Sequence, residues 1–322
     1  MTKVFVKRGI LSSDKSPIIC TPYFELPNNP ALKIYLFQPK MSPPFSKDES
    51  FELSYGIKVH ACLMIFAWGF CNPNAMISVR HMKLGWPGRT ICNLSYWFVI
   101  HLVLQVSLVT LVILSFMVII VYVAGYSKYT KMPYAAHPPL GFVVFFLTII
   151  EILVAWFLVT SNGVRRSALR NVHLCIGLTC QLLAVPLIFI GFQMPEISVK
   201  VCTSPVYSGI YLVNVLTHVI ADVILEVLNY QIMFRTRALR GQFKGDGIDI
   251  DLAIVRMAES PRVKKKIAMS LLPDKSPEEQ IGLKYALMKI NLLRNVKYLV
   301  YAFHVAISFT LTFILVIGLA YS

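Results

Sequence analysis

Six stretches of this 322-residue chain are apolar over a length that crosses a bilayer, and short polar segments separate most of them. They lie at about 57–79, 97–124, 138–158, 173–192, 206–234 and 298–321. A hydrocarbon core of about 30 Å takes roughly 20 helical residues, and a helix satisfies its own backbone groups in lipid. The pattern therefore predicts an all-α fold, a polytopic membrane helix bundle of six transmembrane helices. Short connections make consecutive helices antiparallel.

One histidine stands near the start of each of the first four runs: His60, His101, His137 and His173, spaced 41, 36 and 36 residues apart. In an antiparallel bundle His60 and His137 lie toward one membrane face, and His101 and His173 toward the other. Paired imidazoles on facing helices are the donor set for bis-axial ligation of a haem iron, and two such sites across the membrane make an electron path. A lone histidine in a membrane helix is often a hydrogen-bonding partner for a neighbouring helix. Four at corresponding depths point instead to ligation in a four-helix haem-binding core. Gly141 and Gly177 each follow a histidine by four residues and leave room on that helix face for a flat macrocycle. Met64 and Gln105 occupy the equivalent places after His60 and His101. Zinc needs four ligands converging at one depth, whereas these divide two and two.

Composition agrees with a membrane protein: 56% of residues are apolar and 15% charged. The net charge of +15 changes the picture only through its placement. Between the last two apolar runs, residues 235–297 carry 14 Lys/Arg against 7 Asp/Glu, which reads as a basic cytoplasmic loop drawn to anionic lipid and not as a nucleic-acid surface. The loops after the first, third and fifth runs hold the larger basic excess, so they are placed in the cytoplasm and both termini outside. The organisation expected is a polar, proline-rich tail at 1–56, a five-span core at 57–234, the basic loop at 235–297 and a sixth helix at 298–322. No apolar signal-peptide core follows Lys3, Lys7 and Arg8. The seven cysteines show no C-x-x-C, and Cys20 and Cys202 could meet on an oxidising face.

The histidine segments carry a resemblance. His60–Trp68 reads HACLMIFAW, close to H-G-x-L-M-x-x-A-W, with Arg80 where an Ala-Arg-aromatic end is expected. Trp97–Gln105, WFVIHLVLQ, matches W-F-x-x-H-x-x-x-Q; HPPLG at His137–Gly141 matches H-P-x-L-G; His173–Gly177 matches H-x-x-x-G. His218, Asp222 and Glu226 fit H-x-x-x-[DE]-x-x-x-E in the next helix. From about residue 57 onward the chain resembles the cytochrome b561 superfamily, most closely its ferric-chelate reductase 1 branch. Ala61 stands for the usual glycine, Glu151 for the usual glutamine, and Arg170-Asn171-Val172 precede His173 where an Asn-Trp pair is usual. The residues before His60 are too few for the DOMON β-sandwich that precedes this core in that branch.

The resemblance implies two b-type haems (heme b), one held by His60 and His137 on the non-cytoplasmic side and one by His101 and His173 on the cytoplasmic side. It implies electron flow from cytoplasmic ascorbate to ferric chelate or monodehydroascorbate, in a plasma membrane or an endomembrane vesicle. Expected partners are thus ascorbate, that acceptor, the lipid bilayer and a second copy of the chain in a homodimer. Arg80, Lys83, Arg165 and Arg166, with Arg170, flank the mouth near His101 and His173 and are the candidate ascorbate-binding residues. On the other face Tyr126, Lys128, Tyr129, Lys131 and Tyr134 surround the His60 and His137 site. His218, Asp222 and Glu226 share one helix face and are expected to brace the bundle. His81 reads as a loop residue, and His304 has no evident partner. The competing class is a non-catalytic membrane partner that keeps the bundle and regulates another protein; retention of all four histidines argues against it.

Overall fold

The computed structural model describes residues 49–83, 86, 90–124, 130–194, 204–243, 250, 254 and 276–321, with side chains from residue 55. Residues 1–48 of the proline-rich tail, the Cys20 and Cys202 pairing, Tyr126, Lys128 and Tyr129 lie outside the described residues, as does most of 244–275, whereas residues 49–56, expected in the tail, are helical.

The first rod is continuous: α1 (Glu49–Phe66), a π turn (Ala67–Cys71) and α2 (Asn72–His81). Pro73 explains the π turn. Its missing N–H would have met Gly69 O, and its ring crowds that carbonyl, so the backbone widens by one residue and Asn72 N–H bonds Ala67 O instead. Gly69 O is thereby free for other helices. A two-stranded hairpin follows, β1 (Thr90–Ile91) and β2 (Leu94–Ser95), turned by Cys92 and Asn93 at φ of 50° and 64°. Positive φ at both central residues matches the twist of a two-residue hairpin loop.

Five long helices close the bundle after the first rod: α3 (Tyr96–Val123), α4 (His137–Thr160), α5 (Gly163–Phe192), α6 (Ser204–Gln242) and α7 (Pro277–Tyr321). Pro138 and Pro139 sit in the first turn of α4, where a missing N–H is harmless. Ser276 and Glu279 cap α7 reciprocally: Glu279 N–H donates to Ser276 Oγ and Ser276 N–H to Glu279 Oε2, each at 3.3 Å.

Six helices are long and apolar enough to span a membrane, and the protein is an integral, multi-pass all-α bundle. The first rod is its hub, with 61% of its apolar window buried against 11–28% for the others. Apolar side chains such as Val106, Met117, Phe146 and Trp156 point outward, while the buried set includes Asn72, Asn74, His81, Asn214 and Ser308. That inversion of a soluble fold is what a lipid solvent selects.

The helices outlast the apolar runs. α5 starts at Gly163, ten residues before His173, so Arg165, Arg166 and Arg170 are helical and not in a loop. α6 continues to Gln242, and α7 begins 21 residues before the last apolar run. Arg, Lys, Ala and Leu are good helix formers whether or not lipid surrounds them. Beyond the bilayer, the ends of α6 and α7 bury Leu239, Phe243, Leu283, Leu287 and Ile290 with Ile250.

Candidate functional site

The first rod and α3 run antiparallel, and two contacts fix their register. His60 Nδ1 lies 3.2 Å from Ser115 O and 2.9 Å from Ser115 Oγ. Fifteen residues along the rod, Ala75 O accepts from His101 Nδ1 at 3.2 Å. On α3 fourteen residues separate His101 from Ser115, so the two levels are about 21 Å apart at 1.5 Å per residue. At the first level the partner ring is His137, on α4, with centroids 6.4 Å apart and planes at 72°. At the second it is His173, on α5, at 6.3 Å and 80°. The structure therefore brings the four histidines together as two couples, one near each end of the bundle.

Imidazole–metal bonds of about 2.0–2.1 Å on opposite sides of one ion, plus roughly 1.1 Å from nitrogen to ring centre, put two centroids about 6.3 Å apart. Both couples have that spacing. Nδ1 of His60 and of His101 is held by a backbone carbonyl, and Nδ1 of His173 lies 2.8 Å from Glu151 Oε1. Among the described residues no hydrogen bond engages Nε2 of these three rings. A second nitrogen tied to a carbonyl or carboxylate is how proteins orient a metal-binding histidine. Gly141 opens onto free space, since an added Cβ would meet nothing within 4 Å. Gly177 does something different: its Cβ would stand 3.0 Å from Glu151 Oε1, so it makes room for the carboxylate that meets His173.

Residues 59–198 match the family model for eukaryotic cytochrome b561. That segment, under half of the chain, is similar to the cytochrome b561 family. The family implies b-type haem, and the paired histidines fit that group in spacing. Relatives include the putative ferric-chelate reductase 1 of Xenopus laevis, 26% identical over 183 residues, and the ferric-chelate reductase 1 of Bos taurus, 25% identical over 183. The ferric-chelate reductase 1 of Homo sapiens is 26% identical over 185 residues. Each alignment covers 57% of this chain and 30% of the relative, so the chain matches under a third of these relatives' length. No solved structure matches significantly.

Between the two histidine couples, three amides join three helices. Gln105 Nε2 donates to Asn72 Oδ1 at 3.1 Å, and Asn72 Nδ2 to Gln181 Oε1 at 2.8 Å. Gln105 belongs to the histidine motif; Asn72 and Gln181 are visible in the sequence only as polar positions inside apolar runs.

The candidate anion-binding residues are spread over three environments. Arg80 lies 2.8 Å from Asp222 Oδ2 and 3.5 Å from Glu226 Oε2, so its charge is already met. Lys83 Nζ sits 5.6 Å over the Trp97 ring, one turn before His101. Arg165 and Arg166 are exposed in the first turn of α5, seven and eight residues before His173 and hence on its face.

Two histidines outside the couples take places that differ from the sequence expectation. His81 ends α2 and is 2% exposed: its Nε2 donates to Asp222 Oδ1 at 2.6 Å, and Asn229 Nδ2 donates to its Nδ1 at 2.9 Å. His304 has a partner in His218, whose Nδ1 lies 3.0 Å from its Nε2. The signal for both was the H-x-x-x-D-x-x-x-E face of α6, which needs polar partners on whichever helix packs against it. On the other face Tyr134 is buried and Lys131 is exposed.

Proposed function

We propose that this chain carries single electrons across a membrane, with two b-type haems held by His60 with His137 and by His101 with His173. The donor is cytoplasmic ascorbate, and the acceptor on the opposite side is ferric chelate or monodehydroascorbate. The observation that carries the reading is the equal spacing of the two couples, 6.4 and 6.3 Å, at levels that together reach across most of a bilayer about 30 Å thick. The names of the relatives support ferric chelate as an acceptor class.

A bound haem supplies a one-electron couple at each level. The protein does the rest. Ser115 and Ala75 accept from Nδ1–H of His60 and His101, which fixes the tautomer with the Nε2 lone pair available. The Glu151 carboxylate, 2.8 Å from His173 Nδ1, makes that ring the stronger donor through its charge. The Asn72, Gln105 and Gln181 amides hold α2, α3 and α5 in register between the levels. Arg165 and Arg166, about 10–12 Å out from His173 along α5, set the positive potential that gathers an ascorbate anion. Arg80, shared between two carboxylates, contributes least of the four. With the basic loops inside, an electron moving outward from a negative interior gains about 2.3 kcal/mol per 100 mV for the full field.

The test is purification of the full chain with visible spectra and a haem assay. Two low-spin haems per chain, reduced on adding ascorbate, are expected. A folded but colourless bundle would sink the reading and favour a non-catalytic membrane partner.

A further inference from the structure

Two cations are buried where α7 leaves the membrane. Arg294 is 6% exposed and Lys297 3%, and they stand three residues apart on one face of α7. Among the described residues Arg294 Nη2 donates to neutral acceptors, Ile254 O at 3.1 Å and Asn291 Oδ1 at 3.3 Å. Lys297 makes no hydrogen bond or ion pair among the described residues. The carboxylates on the facing helix, Asp222 and Glu226, are already held by Arg80 and His81. Two like charges removed from water, and without an anion among the described residues, repel each other and lose their hydration. Such a pair calls for a negatively charged occupant.

Depth and rigidity narrow the occupant. Tyr301 packs with Ala221 and Leu225, so Lys297, one turn earlier in α7, is level with Leu225 to Asn229 on antiparallel α6. That level is about 32–38 Å along α6 from Ser204. It is one hydrocarbon thickness from the other end of the span, where lipid headgroups begin. Tyr298, next to Lys297, is fixed by the Trp86 indole stacked on it at 5.3 Å and 4° and by the Trp86 N–H on its hydroxyl at 2.9 Å. A guanidinium fork beside an ammonium is the donor set for a phosphate oxygen cluster.

We propose that Arg294 and Lys297 form a phosphate-binding site occupied by the headgroup of an anionic phospholipid in the adjoining leaflet. That leaflet is the cytoplasmic one on the orientation proposed above; the site takes nothing else from the proposed function.

The test uses the full chain in nanodiscs of phosphatidylcholine alone or with a phosphatidylinositol phosphate, read by thermal unfolding and by native mass spectrometry of retained lipid. The wild-type chain is expected to unfold at a higher temperature with the anionic lipid and to retain it. Lys297→Met, which keeps the stem and removes the charge, is expected to lose the gain and bind about tenfold more weakly, as loss of one charged hydrogen-bond donor predicts. Lys289→Met, on the exposed face of the same helix, should keep both. Equal gains for wild type and Lys297→Met would overturn the site, as would the absence of a gain in wild type. The same gain from inorganic phosphate in phosphatidylcholine discs would overturn the lipid as occupant. Should Lys297→Met not fold, Arg294→Lys, which keeps the charge but loses the fork, is expected to weaken retention, and unchanged retention would overturn the proposal.

Discussion

His218 and His304 meet ring to ring, Nδ1 to Nε2 at 3.0 Å, across the interface of α6 and α7. Tautomers follow from the neighbours. His218 Nε2 lies 3.1 Å from Gly69 O, a carbonyl that only accepts, so the proton sits on Nε2 and His218 Nδ1 receives a proton donated by His304 Nε2. The pair binds α6 and α7 to the π turn of the first rod, where Asn214 Nδ2 also donates to Gly69 O at 2.9 Å. His218→Leu should destabilise the bundle by about 1–3 kcal/mol, because it strands the His304 Nε2–H donor in the interior and leaves Gly69 O with Asn214 alone. The His218→Leu/His304→Leu double variant should cost less than the sum of the two single ones, with a coupling on the order of 1 kcal/mol. Thermal unfolding measures this, and haem content should not change in any of the three.

Removing a couple's ring has a different signature. His101→Ala or His173→Ala should lose one haem of two while the other level keeps its spectrum, since about 21 Å of packed helix separates them. His60→Ala or His137→Ala should do the converse. Haem quantitation and low-temperature spectra of the purified variants would show it, and loss of both haems from any single variant would contradict independent levels.

Glu151 offers a subtler handle. Its Oε1 lies 2.8 Å from His173 Nδ1, and a carboxylate there strengthens the ring as a donor and favours the oxidised metal. Glu151→Gln should raise the midpoint potential of the His101 and His173 level by on the order of tens of millivolts and leave the other level unmoved. A redox titration resolved by level tests this.

The arginines should separate by role. Neutralising Arg165 and Arg166 together should raise the ascorbate KM severalfold with kcat little changed, because they attract the anion without touching the couples. Arg80→Ala should act mainly on stability, by about 0–1 kcal/mol, since its ion pairs with Asp222 and Glu226 are partly exposed. His81→Leu should cost more than Arg80→Ala, because His81 is buried and its loss takes the acceptor from the Asn229 amide and leaves Asp222 with Arg80 alone. Steady-state kinetics and unfolding on the same preparations distinguish the cases.

Much of this was legible before any coordinates. Apolar runs mark helices because lipid leaves the backbone no alternative, and histidines stand out within them because polar groups there are rare. The helix ends were not legible from hydropathy, which reports lipid and not helicity. Arg165 and Arg166 ended an apolar run yet lie inside α5, and α7 starts at a Ser276-Pro277-Glu278-Glu279 capping box that hydropathy ignores. His81 looked like loop because Arg80, His81 and Lys83 close the first run; its burial depends on Asp222, 141 residues away. His304 looked solitary because the register of α6 against α7 is set by packing that no local pattern records.

The widened turn at Ala67–Cys71 sits between His60 and Ala75, the two points at which the first rod sets the levels. Winding the same residues as ordinary α-helix, with none removed, would swing one end by about 100° against the other. Only one imidazole couple could then stay aligned, so the phase relation between the two ends of the conductor is kept by a turn that absorbs a single surplus residue.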